Sequence, residues 1–450
     1  MRTWSQADRG ERGQVLVVVT ISMIALVALV GLTVDVGLLF LNHGKLRRAV
    51  DAAALAASSQ FREGYNISDL SLAATEFLRL NGIDDPSAAV ETCATSPGDP
   101  DLCKTPPRKL VRVTAAANMQ TAFLRVIGIR EVTLTARSVS EAASIDAVLV
   151  IDSSDSMTYD APVGDPMRDP SVCNHVPNGS YTGDCHPFHE VKQAAVDFVQ
   201  ELFFPYDRVG VVQFDRVATN VLHLSSDETT IVSAIKGLQV IEPDVCPTAD
   251  GPCRSYDAYA NYLGFDCTIF HSTGDPSGCG TTNIGGGLRE AGNEFANPPI
   301  RQEALWVVIL LSDGAANSSH PDPFCPNYTW LNPYCRDSHT PYQRYCAEAT
   351  DISCLSKGGV YNISRYNTDD YARDMADFVA EDQRALIFTI GLGDLVQNSI
   401  PIDDGEGAGE RLLEYVADIG LGSYYFSPSG GQLHDIFLDI ASNIATRIAK

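Results

Sequence analysis

Three oxygen-bearing side chains follow one short apolar segment at alternate positions. Residues 145–151 (Ile-Asp-Ala-Val-Leu-Val-Ile) read as a buried strand, and Asp152, Ser154 and Ser156 come next with D-x-S-x-S spacing. Carboxylate and hydroxyl oxygens are hard ligands, which suit Mg²⁺, Mn²⁺ or Ca²⁺ rather than zinc or copper. The spacing therefore predicts a divalent-metal site on the loop that leaves this strand.

Two further segments carry residues of the same chemistry. Thr282 precedes a predicted helix, and Asp313 follows the apolar strand 305–312. Each is ordinary alone, since a Thr before a helix is usually an N-cap and an Asp-Gly pair after a strand is usually a turn. The glycines 285–287 lack the Lys-Ser/Thr partner and the spacing of a phosphate-binding loop. At strand ends of one sheet, the three segments together predict a single oxygen-lined site.

The elements that must position these residues alternate along the chain from residue 145 onward. The predicted strands are 145–152, 208–214, 219–224, 305–312, 385–391 and 423–426, and the predicted helices are 188–203, 228–238, 284–295, 367–382, 409–418 and 431–449. This alternation predicts an α/β fold with a Rossmann-like, doubly wound, mostly parallel sheet. Such sheets bind ligands at the carboxyl ends of their strands. Three long Cys-bearing insertions interrupt the pattern, at about 158–187, 240–280 and 315–366.

A charge-free apolar run of 20 residues, Val15 to Val34, lies near the N-terminus. As a helix it would cover about 30 Å, the hydrocarbon thickness of a bilayer. A cleaved secretory signal is the competing interpretation, but its apolar core is usually only about 7–15 residues long. We therefore predict a cytoplasmic leader at 1–13 and a transmembrane helix at 14–41. Asp35 falls at the end of the span, where it is either an interfacial or a functional residue.

Residues 42–144 are predicted to form a small membrane-proximal α+β region. Its predicted helices are 42–59 and 69–82, its strands are 110–115 and 131–138, and a helical stretch lies near 119–127. The Ala-rich segment 49–57 has high helix propensity and allows close packing.

The charge distribution argues against nucleic acid as a partner. The net charge is −25, and residues 1–50 carry six Lys or Arg against three acids, so that the rest of the chain holds −28. A body this acidic repels phosphate backbones.

The cysteines indicate an oxidising compartment. The 12 Cys form six neighbouring couples in polar loops, at 93/103, 173/185, 246/253, 267/279, 325/335 and 346/354. An even number in loops favours disulfides, although sequence cannot fix their connectivity. The large C-terminal body is then predicted to lie outside the cytoplasm.

Residues 145–450 resemble a von Willebrand factor type A domain with its metal-ion-dependent adhesion site. The D-x-S-x-S loop matches Asp152, Ser154 and Ser156, the T-N-I-x-x-G-L helix start matches Thr282, and the strand ending in Ser-Asp-Gly matches Asp313. The resemblance implies that the Ser pair and the Thr reach the metal, while the two Asp act directly or through water. It also implies an open coordination position that takes a ligand carboxylate, and a last helix, 431–449, that shifts in some members.

The N-terminus resembles the bacterial Tad pilus-assembly proteins TadE and TadG. The similarity rests on Arg12-Gly13-Gln14, on Val34-Asp35-Val36-Gly37 and on the segment 51–57 (Asp-Ala-Ala-Ala-Leu-Ala-Ala). TadG-like members join this anchor to a von Willebrand A domain. The resemblance implies a single-pass protein of the bacterial cytoplasmic membrane, with its C-terminal domain periplasmic or extracellular.

Three hypotheses on function follow. The leading one is a non-enzymatic adhesion or pilus-assembly protein that uses Mg²⁺ (or Mn²⁺ or Ca²⁺) to capture an acidic group on a protein partner. The second is a structural pilus-associated subunit whose metal only stabilises the fold. The third is a metal-dependent hydrolase, for which His186 and His189 are the nearest candidate bases, without any catalytic motif around them.

Overall fold

A computed structural model describes residues 12–61, 65–83, 87–242, 254–256, 262–265, 282–319, 368–399 and 406–448. The chain divides into two compact units, Met1–Ala142 and Ala143–Lys450. The first unit consists of the elements α1 (Arg12–Ser58), α2 (Ile67–Leu80), β1 (Ser87–Glu91), β2 (Leu110–Gln120), a 3₁₀ turn (Leu124–Ile127) and β3 (Glu131–Glu141).

The C-terminal part of α1 packs into the core of the first unit. Leu46, Ala49, Ala53 and Ala57 are fully buried, and small side chains at this spacing let α1 lie close to α2 and to the sheet β1–β2–β3. The N-terminal part, by contrast, is apolar and exposed, and Val15–Ser58 is long and apolar enough to cross a membrane.

The predicted helix at 119–127 is mostly wrong. The strand β2 continues through Gln120, where Met119 pairs with Val132 and Gln120 with Glu131 of β3. Only the single 3₁₀ turn Leu124–Ile127 remains at the tip of the hairpin. Cross-strand pairing thus outweighed the local apolar spacing.

The second unit contains a six-stranded sheet with helices on both faces. Its strands are β4 (Ile145–Asp152), β5 (Arg208–Phe214), β6 (Ala218–Ser225), β9 (Leu305–Ser312), β10 (Leu386–Leu392) and β11 (Leu421–Ser427), and a separate pair is formed by β7 (Arg254–Tyr256) and β8 (Tyr262–Phe265). Its helices are α3 (Pro170–Cys173), α4 (Phe188–Gln200), α5 (Glu228–Gly237), α6 (Ile284–Ala296), α7 (Thr368–Asp377, continued by a π turn at Phe378–Asp382), α8 (Gly393–Asn398), α9 (Ala408–Ile419) and α10 (Leu433–Ile448).

The strand order is β11-β10-β9-β4-β5-β6, and only β6 is antiparallel to its neighbour. All eight residues of β4 are buried. Leu149 and Ile151 face the core under α4, α5 and α10, whereas Val148 and Val150 face the core under α6, α7 and α9. A central strand that is covered on both faces reads as a continuous apolar run, as predicted. The predicted α/β class with a doubly wound, mostly parallel sheet is confirmed.

The topology places a switch point between β4 and β9. From β4 the chain proceeds outward to β5 and β6, and from β9 it proceeds outward to β10 and β11 on the other side. Ligand sites of open parallel sheets lie at the carboxyl ends of the strands at such a point. Asp152 ends β4 and Asp313 follows β9, so both lie there.

Candidate metal centre

Asp152 is held by both of its carboxylate oxygens. Oδ1 accepts a hydrogen bond from the backbone N–H of Ser154 at 2.9 Å, and Oδ2 accepts one from the Ser312 hydroxyl at 2.6 Å. The side chain is completely buried. Ser312, the last residue of β9, therefore fixes the orientation of the acid at the end of β4.

A chain of hydroxyls links the loop after β4 to the loop after β9. The Oγ atoms of Ser154 and Ser156 lie 3.0 Å apart, and the Ser156 hydroxyl donates to Oδ1 of Asp313 at 2.9 Å. Ser156 and Asp313 are 157 positions apart in the sequence. The fold thus brings four of the five predicted residues into one hydrogen-bonded network.

Thr282 lies beside this network through its backbone. Its N–H donates to Oδ1 of Asn317 at 2.7 Å, and its carbonyl accepts from the Asn317 N–H at 3.1 Å. A Cβ on Gly314, the residue after Asp313, would lie 3.9 Å from the Thr282 Oγ1. In the part of the chain that the structure describes, the Thr282 hydroxyl has no hydrogen-bond partner. No described residue therefore competes with a ligand for this hydroxyl.

Asn283 and the glycines after it explain how α6 reaches this position. The Asn283 side chain caps the helix by accepting from the Gly286 N–H at 2.8 Å. A Cβ on Gly287 would lie 2.7 Å from Cγ1 of Val150 on β4. The glycines thus allow the helix to lie close against the sheet.

The two acids of the centre are buried without a basic partner among the described residues. Burial raises the pKa of Asp152, and burial together with the nearby Asp152 charge raises the pKa of Asp313 well above its usual range. Neither carboxylate forms an ion pair with a basic side chain among the described residues. Two buried acids without a basic partner are stabilised either by protons or by a cation. The donor set therefore fits a divalent metal.

A second acid of the same loop was not singled out by the sequence. The Asp155 carboxylate accepts from the Tyr159 hydroxyl at 2.5 Å, and burial raises the pKa of Asp155 to about 6. The Arg168 guanidinium stacks 3.7 Å above the Tyr159 ring. Asp155 therefore ties the loop after β4 to the first insertion through Tyr159, and Arg168 ends a 3₁₀ turn, Pro166–Arg168, that no sequence motif indicated.

Two of the predicted cysteine couples form disulfides. The predicted couples Cys93–Cys103 and Cys173–Cys185 form disulfides, and the other four couples lie outside the described residues.

The two histidines named as candidate bases have polar neighbours. His186 contacts Glu190 at 2.7 Å and Asp184 at 3.1 Å. His189 lies 2.8 Å from the Gln193 amide nitrogen.

The candidate centre differs from metal sites that are built from three or more His, Cys, Asp or Glu side chains. Among the described residues, no three His, Cys, Asp or Glu side chains gather where they could hold a metal ion. The candidate centre joins only two carboxylates, Asp152 and Asp313, and its remaining oxygens come from hydroxyls. Its recognition therefore depends on Ser154, Ser156 and Thr282.

Comparison with protein families matches two parts of the chain. The Tad family, described as Flp pilus-assembly TadE/G-like, matches residues 13–60, and the von Willebrand factor type A domain matches residues 147–248. The chain therefore carries a TadE/G-like N-terminal segment followed by a von Willebrand factor A domain. No curated protein matches the chain.

The solved structures that match this chain share little of its sequence. The vWF domain of the type V pili tip protein Mfa5 from Porphyromonas gingivalis is 16% identical, with a TM-score of 0.39, covering 69% of this chain and 97% of that one. A point mutant of the PilB minor pilin from Streptococcus sanguinis is 15% identical, with a TM-score of 0.39, covering 81% and 79%. Proximal thread matrix protein 1 from the mussel byssus, with a zinc-occupied MIDAS motif, is 17% identical, with a TM-score of 0.34, covering 68% and 46%. This chain thus spans about half of the mussel protein.

Proposed function

We propose that this chain is a membrane-anchored, pilus-associated binding protein whose von Willebrand factor A domain holds a divalent cation and captures an acidic group on a protein partner. The observation that carries the proposal is the network from Asp152 through Ser154 and Ser156 to Asp313. Matches to a pilus-assembly family at the N-terminus and to the A-domain family support the setting.

Some residues of the site would bind the metal, and others orient those ligands. Ser154, Ser156 and Thr282 would offer neutral hydroxyls, and Asp152 and Asp313 would offer negative charge directly or through water. Ser312 holds Asp152 in place, and Asn317 holds the backbone of Thr282. When bound, Mg²⁺ would supply an electrophilic centre whose charge three neutral ligands leave partly uncompensated. A carboxylate from outside is then attracted to this edge of the sheet.

Asp313 contributes a further constraint on the partner. Its carboxyl group already receives the Ser156 hydroxyl, and burial and the Asp152 charge raise its pKa, so that without a cation the two acids offer an incoming carboxylate no positive charge. Capture of an acidic group at this site therefore requires the metal. We propose accordingly that the protein is a binding protein rather than an enzyme.

A matched pair of serine variants tests the metal site. Ser154→Ala removes a hydroxyl of the network, whereas Ser153→Ala removes the neighbouring hydroxyl, which instead donates to the carbonyl of Phe214 at 2.9 Å. We expect titration calorimetry to show Mg²⁺ binding by the wild type and by Ser153→Ala, and none by Ser154→Ala. Equal Mg²⁺ affinity in the two variants would refute the assignment.

Partner capture and the structural alternative are separated by a pull-down from bacterial envelope extracts. Wild type and Ser153→Ala should retain a partner in Mg²⁺ and lose it in EDTA, and Ser154→Ala should retain none in either buffer. A partner retained equally in Mg²⁺ and EDTA, with a melting temperature that falls in EDTA, would favour a metal that only stabilises the fold. Turnover of generic ester or phosphoester substrates would favour the hydrolase.

A further inference from the structure

The tip of the β2–β3 hairpin exposes apolar side chains that the fold of the first unit leaves uncovered. Val126 is 83% exposed and Ile127 is 73% exposed, and Phe123 and Ile129 are exposed by nearly half. All four lie within or beside the 3₁₀ turn Leu124–Ile127. Loop tips of water-facing domains are normally polar, so this composition indicates an apolar environment.

The tip lies against the apolar part of α1. The Phe123 ring contacts Gly31 so closely that a Cβ on this glycine would lie 2.8 Å from the ring. Between Val19 and Leu32, α1 forms one wall of an open cavity of about 820 Å³, and the tip between Phe123 and Ile127 forms the other. The hairpin therefore reaches along the segment of α1 that is apolar enough to span a bilayer.

Asp35 supplies hydrogen-bond acceptors for the backbone of the tip. Its carboxylate accepts the N–H groups of Ala122 at 2.8 Å, Phe123 at 2.8 Å and Leu124 at 2.6 Å, and the side chain is only 1% exposed. Irregular backbone within hydrocarbon otherwise leaves N–H groups without partners, at several kcal/mol each. Asp35 thus acts as a positioning residue for the hairpin.

A second, mostly polar surface beside the tip carries two basic residues. Arg125 and Arg130 line a second open cavity of about 770 Å³, together with Gln120, Thr121 and Glu131. Long cationic side chains at the edge of a membrane extend toward the phosphates of the headgroups. The apolar and basic residues of the tip are the two chemistries that the acyl chains and the phosphates of a phospholipid leaflet would contact.

We propose that the β2–β3 tip inserts into the same bilayer that α1 crosses, in the leaflet at the Asp35 end of the span. Phe123, Val126 and Ile127 contact acyl chains, and Arg125 and Arg130 contact lipid phosphates. Lipid is favoured as the occupant because the apolar surface of the tip is continuous with that of α1. The inference rests on the membrane anchor of the proposed function but not on its metal site.

Contact quenching by lipids tests the insertion. The full-length chain is reconstituted in phosphatidylethanolamine–phosphatidylglycerol vesicles with brominated acyl chains, and the wild-type emission is subtracted from that of V126W. I127W serves as a second probe of the tip. The matched control is L72W on α2, where the leucine is 72% exposed. We expect brominated lipid to remove most of the added emission of V126W and I127W and little of that of L72W.

Co-sedimentation with the vesicles tests the membrane anchor separately from the insertion of the tip. A chain that does not co-sediment would overturn the membrane anchor and the insertion together. A chain that co-sediments, but whose V126W and I127W emissions are quenched no more than that of L72W, would overturn the insertion alone. The same unquenched result is expected if a second protein helix, rather than lipid, covers the tip.

Discussion

Substitution of Asp146 should destabilise the von Willebrand factor A domain more than any surface charge can. Asp146 is fully buried near the start of β4. Arg208 donates to its two oxygens at 2.9 and 2.7 Å, and the Arg301 guanidinium also donates to both. Arg208 and Arg301 are themselves only 6% and 3% exposed.

The expected loss of folding stability follows from the buried charges that would remain in Asp146→Asn. The amide keeps the volume but removes the charge, so two buried guanidinium groups face one another without an anion. Removing one partner of a buried ion pair typically costs about 3–5 kcal/mol, because the other charge stays buried. Since domains are stable by about 5–15 kcal/mol, this loss would be a large fraction of the total.

Denaturant unfolding of the detergent-solubilised full chain measures this loss by circular dichroism. Asp197→Asn is the matched control, because Asp197 pairs at 2.7 Å with His434 at the surface, where both side chains are substantially exposed. Exposed pairs contribute at most about 1 kcal/mol. A loss for Asp146→Asn that does not exceed the loss for Asp197→Asn would refute the reasoning.

Three further outcomes are expected. Asp35→Asn should accelerate tryptic cleavage at Arg125 in vesicles several-fold, since it weakens the cap on three N–H groups; unchanged cleavage would contradict this role. Gly287→Ala should lower the free energy of unfolding by about 1–3 kcal/mol, because its Cβ would lie 2.7 Å from Val150, and an unchanged denaturation midpoint would count against the tight helix packing. Mg²⁺ should alter amide hydrogen exchange in Leu433–Ile448, and identical exchange in Mg²⁺ and EDTA would exclude a shift of α10.

Three of the four inner strands of the large sheet were predictable to the residue and β10 to within one residue, whereas the edge strands were less so. The predicted bounds of β4, β5 and β9 agree with the structure because a strand buried on both faces is one uninterrupted apolar run. The strand β1, Ser87–Glu91, was missed. It is short, partly exposed, rich in Ala and paired only with β2, so that no local pattern distinguishes it from a loop or a helix.

The acids and hydroxyls of the site were predictable, but their supporting residues were only partly so. D-x-S-x-S spacing after an apolar strand predicts Asp152, Ser154 and Ser156 as one group, and they do lie together, while their role as metal ligands stays a prediction. The bond from Ser312 to Asp152 joins residues 160 positions apart, and the bond from Thr282 to Asn317 joins residues 35 positions apart. Contacts of this kind depend on strand order, which a single sequence does not specify.

The two acids of β4 differ in their partners, and this difference yields a last prediction. Asp146 is neutralised by Arg208 and Arg301, whereas Asp152 at the other end has no basic partner among the described residues. Six residues of extended strand separate them by about 20 Å. The two ends should therefore respond independently: substitution at Asp146 lowers stability without changing the affinity for a cation at Asp152.

Ligand linkage makes this independence measurable. A cation that binds only the folded state adds about 2.7 kcal/mol at a concentration of 100 Kd. We expect Mg²⁺ to stabilise wild type and Asp146→Asn by equal increments, from different starting stabilities, and to leave Ser154→Ala unchanged. An increment that disappears in Asp146→Asn, or persists in Ser154→Ala, would mean that the cation acts elsewhere in the domain. If Mg²⁺ stabilises wild type and Asp146→Asn equally and does not stabilise Ser154→Ala, the cation acts at the carboxyl end of β4. Its contribution is then separate from that of the ion pairs at the start of the strand.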